Sequence, residues 1–143
     1  MSAPMAPKCA NPSEMSHDLA DAYARIARAA DLLDRAVFAE AEALAEHAIA
    51  ELTTGFDEDW LRQEGRAPAS LARTPDRARA LARALWLGTA VDEAGGRNDR
   101  ARLRCARAME LYARLRLDVE ELDVRAAREL GAASHRLGAR AAR

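Results

Sequence analysis

The chain has 143 residues, enough for one domain with a sizeable core and too few for two. Its formal net charge of -1 argues against a dedicated nucleic-acid binder, and no apolar run approaches the roughly 18 residues that a membrane-crossing helix needs. Alanine supplies about a quarter of the residues and Arg outnumbers Lys about twenty to one, a bias that favours helix; the core must come from Leu, Ala, Val and Ile, with Tyr23, Phe38, Phe56, Trp60, Trp86 and Tyr112 as its bulky pieces.

In chain order, Pro4, Pro7 and Pro12 mark residues 1–15 as a flexible tail without the apolar core of a signal peptide. Ser16 suits an N-cap, and Leu19, Tyr23, Ile26, Ala27, Ala30 and Leu33 then keep the three-four spacing of one buried helical face to about Leu33. A turn at residues 34–37 leads to a second helix with Phe38, Ala41, Leu44, Ala45, Ala48 and Leu52 on its inner stripe and Gly55 as its stop. The first hairpin therefore covers residues 17–53. Phe56 to Leu61 reads as a capped helical turn folding two aromatics over the hairpin's open end, and residues 65–75, with Gly, Pro, Ser and Thr and no periodicity, as a linker.

Thr74-Pro75-Asp76 is a compact helix start, with Thr at the N-cap and Pro at the first helical position. The third helix runs to about Ala94 with Leu81, Ala84, Leu85, Gly88 and Val91 inward. Gly88, which costs on the order of 1 kcal/mol of helix propensity, marks a close crossing, and Gly95-Gly96 ends the helix. A fourth helix from Asn98 or Asp99 carries Ala101, Cys105, Ala108, Tyr112 and Leu115, completing a second hairpin over residues 75–116. Asp118-Val-Glu-Glu121 has the shape of a capping box opening a helix over residues 118–131, with Val119, Leu122, Ala126 and Leu130 inward; residues 138–143 are expected to fray. The expected fold is one all-α domain over residues 16–137, two antiparallel helix hairpins plus a C-terminal helix.

The two hairpins carry one pattern. Ala41, Ala45, Ala48 and Ile49 align on Ala101, Cys105, Ala108 and Met109, and small residues at such spacing let paired helices approach closely. With Leu87-Gly88, the turn at Gly95-Gly96 and the small residues of the following helix, and with Ile26-Ala27, Ala41, Ala48 and Ile49 in the first hairpin, the chain resembles tetratricopeptide repeats over roughly residues 17–52 and 79–116. It also has a general likeness to small bacterial proteins of this helical type. It departs from the repeat in spacing, about sixty residues where that family keeps about 34, and in lacking its closing Pro. The resemblance implies a groove that binds a protein partner; no peptide-clamping residue of the family matches a position here.

Charge is unevenly spread. Residues 1–60 hold twelve acids against four bases and residues 61–143 eleven against eighteen, halves suited to neutralising each other within one fold or across a homodimer. Arg100, Arg104, Arg107 and Arg114 fall on one helical face interrupted by Leu111. Such forks suit carboxylate or phosphate, either a ligand's or the chain's own Glu40, Glu42, Glu46 and Glu51. In Leu85-Trp86-Leu87 at most two residues face inward; an outward Trp86, with Leu103, would anchor a partner. Glu14-Met-Ser-His17 has a metal-bundle spacing but no second copy, Asp57, Glu58 and Asp59 lack the calcium-loop spacing, His47 and His135 stand beside no nucleophile, and Cys9 and Cys105 form no pair or cluster. The sequence therefore predicts no enzyme, no cofactor and no metal, and an adaptor in the reducing cytoplasm that docks a helix or extended segment between the hairpins, with Trp86, Arg100, Arg104, Arg107 and Arg114 as contacts. The alternative is nucleic-acid or anionic-ligand binding through the Arg-rich second half.

Overall fold

The computed structural model describes residues 12–54, 61, 74–115 and 120–141, with side chains from Asp18 onward. Among them every ordered element is a helix: α1 (Pro12–Asp34), α2 (Phe38–Leu52), α3 (Pro75–Ala94), α4 (Asn98–Arg114) and α5 (Glu121–Ala141). α1 pairs with α2 and α3 with α4 as hairpins; α3 lies on both α1 and α2, and α5 on both α3 and α4. The all-α architecture of two hairpins and a terminal helix is thus present.

Three boundaries differ from the sequence reading. α1 starts at Pro12, so Ser16 lies inside the helix and residues 12–15 are not tail; proline is tolerated in the first turn because its missing N–H would have had no intrahelical partner. α5 starts at Glu121, with the Asp123 carboxylate accepting the Glu120 backbone N–H at 3.2 Å; Asp118 and Val119 of the expected capping box lie outside the described residues. It also continues to Ala141 past both Gly131 and Gly138, because Ala126, Leu130, Ala133 and Leu137 extend one buried stripe. Gly55, residues 56–60 of the expected turn and residues 65–73 of the linker lie outside the described residues; Leu61 packs against the core, and of the linker's last two residues Thr74 is the N-cap position and Pro75 already the first residue of α3.

α3 is the axis of the molecule. Every residue from Ala80 to Thr89 is buried, so the expected inner stripe is only part of what α3 hides; a helix touched by four others is enclosed all round. Gly88 marks the predicted close approach: a Cβ there would lie 3.0 Å from Arg104 Nη1 and 3.2 Å from Ile49 Cδ1. On α2, Ala41, Ala45, Ala48, Ile49 and Leu52 are buried, whereas Phe38, expected inward, is 46% exposed because it occupies the first helical position, at the edge of the hairpin.

The two hairpins turn in the same way. In the first, the Val37 N–H donates to the Leu32 carbonyl at 2.8 Å and the Ala36 N–H to that of Leu33; in the second, Arg97 donates to Asp92 at 2.8 Å and Gly96 to Glu93. This pattern ends a helix through one left-handed residue, and that residue is Ala36 (φ 59°) in one hairpin and Gly96 (φ 76°) in the other. α2 is closed at its other end by Arg77 of α3, whose guanidinium donates to the carbonyls of Leu52, Glu51 and Thr54.

Candidate interaction cleft

The geometry divides the predicted contact residues between opposite neighbours of α3. On the α2 and α4 side, Asp92 is wholly buried near the end of α3 and is surrounded by cations: Arg97 Nε at 2.9 Å, Arg100 Nη2 at 2.7 Å and Arg104 Nη1 at 3.3 Å. Arg104 also forks onto both Glu46 oxygens, at 2.6 and 2.8 Å, and Arg97 reaches Glu42 at 2.9 Å. Burial works to raise the Asp92 carboxyl, but the guanidiniums of Arg100, Arg97 and Arg104 outweigh it and hold it below the ordinary aspartate value. Glu46 is held down chiefly by Arg104. Ligand atoms of Glu42, Glu46 and Asp92 come within 4.8 Å of one another, but three guanidiniums balance these three carboxylates and leave no excess negative charge to draw a metal ion.

Of the remaining arginines, Arg107 is buried with its Nη1 3.4 Å from Glu110, and Arg114 is half-exposed at 3.5 Å from the same carboxylate. The arginine face of α4 therefore meets the chain's own acids, Glu42 and Glu46 among those named from sequence; Glu40 and Glu51 pair instead with Arg28 and Arg25 of α1. A second closed cluster joins α3 to α5. Both Asp123 oxygens receive the Arg83 fork at 2.8 Å, and Oδ1 also accepts the Tyr112 hydroxyl at 2.9 Å. Burial works against the Asp123 charge, yet Arg83, Tyr112 and the Glu120 amide keep its pKa low; burial and that charge push the Tyr112 phenol up.

Trp86 lies on the other flank of α3 and is 3% exposed, so it is not the outward side chain the anchor role supposed. It lines a cleft of about 260 Å³ whose walls are Ala30, Leu33 and Asp34 of α1, Phe38 of α2, and Arg125 and Glu129 of α5. The indole N–H donates to Glu129 Oε1 at 3.1 Å, and the Arg125 guanidinium sits 5.4 Å above the ring. Arg125 then spans to α1, donating from Nη1 and Nη2 to the two Asp34 oxygens at 3.1 and 2.5 Å and from Nε to Glu129 at 2.8 Å. Arg125 draws Asp34 below the usual carboxylate range. Further along the same α1–α3 seam, Leu19, Tyr23, Asp76, Arg79, Arg83 and Glu120 line a second, more open cleft of about 450 Å³, with Arg83 5.4 Å above the Tyr23 ring.

Trp86 is therefore grouped with Phe38, Asp34, Arg125 and Glu129, and not with the arginines of α4. Sequence reasoning missed these four. The apolar pair Val37-Phe38 at a hairpin turn was the available signal for one, and the four-residue spacing of Arg125 and Glu129 suits an ion pair along one helix; nothing in the spacing joined that pair to Asp34, which Arg125 meets across 91 residues of chain. Cys105 is buried on α4 with its thiol 3.4 Å from the Leu130 carbonyl, and burial pushes its pKa up, opposite to an activated nucleophile. His47 is exposed beside Glu51, and His135 is exposed on α5. No helix among the described residues is long and apolar enough to cross a membrane. No family model, curated protein or solved structure matches the chain.

Proposed function

We propose that this chain is a non-catalytic interaction module of the cytoplasm that docks a partner helix or extended segment in the cleft between α1, α3 and α5. The observation that carries this reading is the cleft's wall: Phe38, a large aromatic with 46% of its surface in water, stands beside Leu33 and Ala30 over a recess of about 260 Å³. Aromatic side chains, Phe among them, are enriched at binding interfaces relative to the rest of a protein's surface. The resemblance to groove-forming helical repeats points the same way. The Asp92 and Asp123 clusters support the non-catalytic part, because their acids are consumed in arginine forks that join helices. The same pairing disfavours Arg100 and Arg104 as anion-binding residues.

A photo-crosslinking amino acid at Phe38, compared with one at the exposed Ala106 on α4, tests the reading in the native cytoplasm. A defined partner captured from position 38 and not from 106, and lost in Leu33→Asp, is the expected result. Equal capture from both positions, capture of nothing, or capture only of a second copy of this chain would overturn it.

A further inference from the structure

We propose that the α1–α3–α5 cleft is a receptor for a cationic side chain, an arginine carried by the docking segment, seated against Phe38, Asp34 and Glu129. This deepens the interaction-module reading and rests on it. Two observations carry the chemistry. First, the charges lining the cleft do not balance: Asp34 and Glu129 supply two carboxylates and Arg125 one guanidinium, unlike the Asp92 cluster, where three meet three. Summed over its lining residues, the recess carries one negative charge beside the half-exposed Phe38 ring, a combination of carboxylate and aromatic that favours a cation, while Arg125 already covers the Trp86 indole.

Second, the molecule already shows which cation suits these groups. Arg125 lies over the Trp86 ring and donates to both Asp34 oxygens and to Glu129, using the planar fork and the stacking face of guanidinium together. The volume of about 260 Å³ remains beside Arg125 in its seated position, so a second side chain enters without evicting it. The Asp34 side chain is 51% exposed, leaving its carboxylate reachable from solvent, and Phe38, which also lines the cleft, has 46% of its surface in water. A single side chain gains little in so open a place, so the site reads one residue of a longer docked segment.

The test uses the full ¹⁵N-labelled chain and N-acetyl-arginine methylamide as the probe, with the Trp86 indole N–H, identified through Trp86→Phe, as the reporter. A saturable shift is expected, weak but specific, with no response to the norleucine analogue and a several-fold weaker response to the lysine analogue. In Asp34→Asn with Glu129→Gln the dissociation constant for the arginine probe should rise about tenfold or more, in a protein whose remaining amide spectrum is unchanged. Absence of a saturable shift, equal binding of norleucine, or an unchanged constant in the double variant would overturn the proposal; equal binding of lysine would overturn the assignment to guanidinium. A failed titration with partner capture from position 38 intact discards the cation site and keeps the docking surface, whereas arginine binding without capture does the reverse.

Discussion

The left-handed turn residues test how far the two hairpins are equivalent. Ala36 and Gly96 hold the same place in the same hydrogen-bonded turn, at φ 59° and 76°, but alanine pays for that conformation with a close approach of its Cβ that glycine lacks. Ala36→Gly should therefore raise unfolding stability by about 0.5–1 kcal/mol, and Gly96→Ala should lower it by a similar amount, as read from urea denaturation midpoints. One position in from each turn's opening, the repeat places Asp92 where the first hairpin has the buried Leu32. An acid in a core position needs full pairing, and Arg97, Arg100 and Arg104 follow it at five, eight and twelve residues. Asp92→Asn keeps the shape and removes the charge these three surround; the expected cost is about 2–3 kcal/mol, and a variant as stable as the parent would show that the guanidiniums do as well with Glu42 and Glu46 alone.

At the scale of helices, three glycines separate two roles. Gly88 sits where α3 meets Ile49 and the anchored Arg104, so Gly88→Ala should destabilise the protein despite its better helix propensity. Gly131 and Gly138 have nothing within 4 Å of a would-be Cβ, and alanine at either should stabilise α5 by about 0.5–1 kcal/mol, seen as a higher thermal midpoint. Composition cannot tell these cases apart, and this is why α5 was expected to stop near residue 131 when it runs ten residues further. What was legible was periodic: the small-residue stripes of α2 and α4, the Thr74-Pro75 start, the Gly95-Gly96 stop and the close crossing at Gly88 all follow from local spacing. The fate of Trp86 was not local. A helix enclosed by four neighbours has no outward face along its middle, and the spacing within α3 alone does not give the number of neighbours.

For the molecule as a whole, the unequal charge of its two halves is met internally in part, since Glu42 and Glu46 meet Arg97, Arg100 and Arg104, and Asp34 meets Arg125. The contacts themselves lay beyond sequence reasoning, because a helical face gives the direction of an arginine but not which distant carboxylate comes to it. These pairs make stability depend on acid. Asp92, Asp123, Glu46 and Glu93 are all held below their ordinary values of 3.8 and 4.5 in the folded state, so the unfolded chain binds more protons as the pH drops. Their stabilisation is complete above about pH 5, declines as the pH falls through those ordinary values, and is lost below the lowered folded ones. Urea midpoints should accordingly fall steeply below about pH 4.5, and the fall should be shallower in Asp92→Asn and Asp123→Asn, each of which lacks one of the protons taken up on unfolding. Salt distinguishes this from surface pairing: ion pairs built on buried carboxylates are screened far less than exposed ones, so 1 M NaCl should leave most of the acid dependence in place. A pH profile identical in the parent and both variants would mean that these carboxylates titrate alike folded and unfolded, and that apolar packing around α3 alone holds the two hairpins and α5 together.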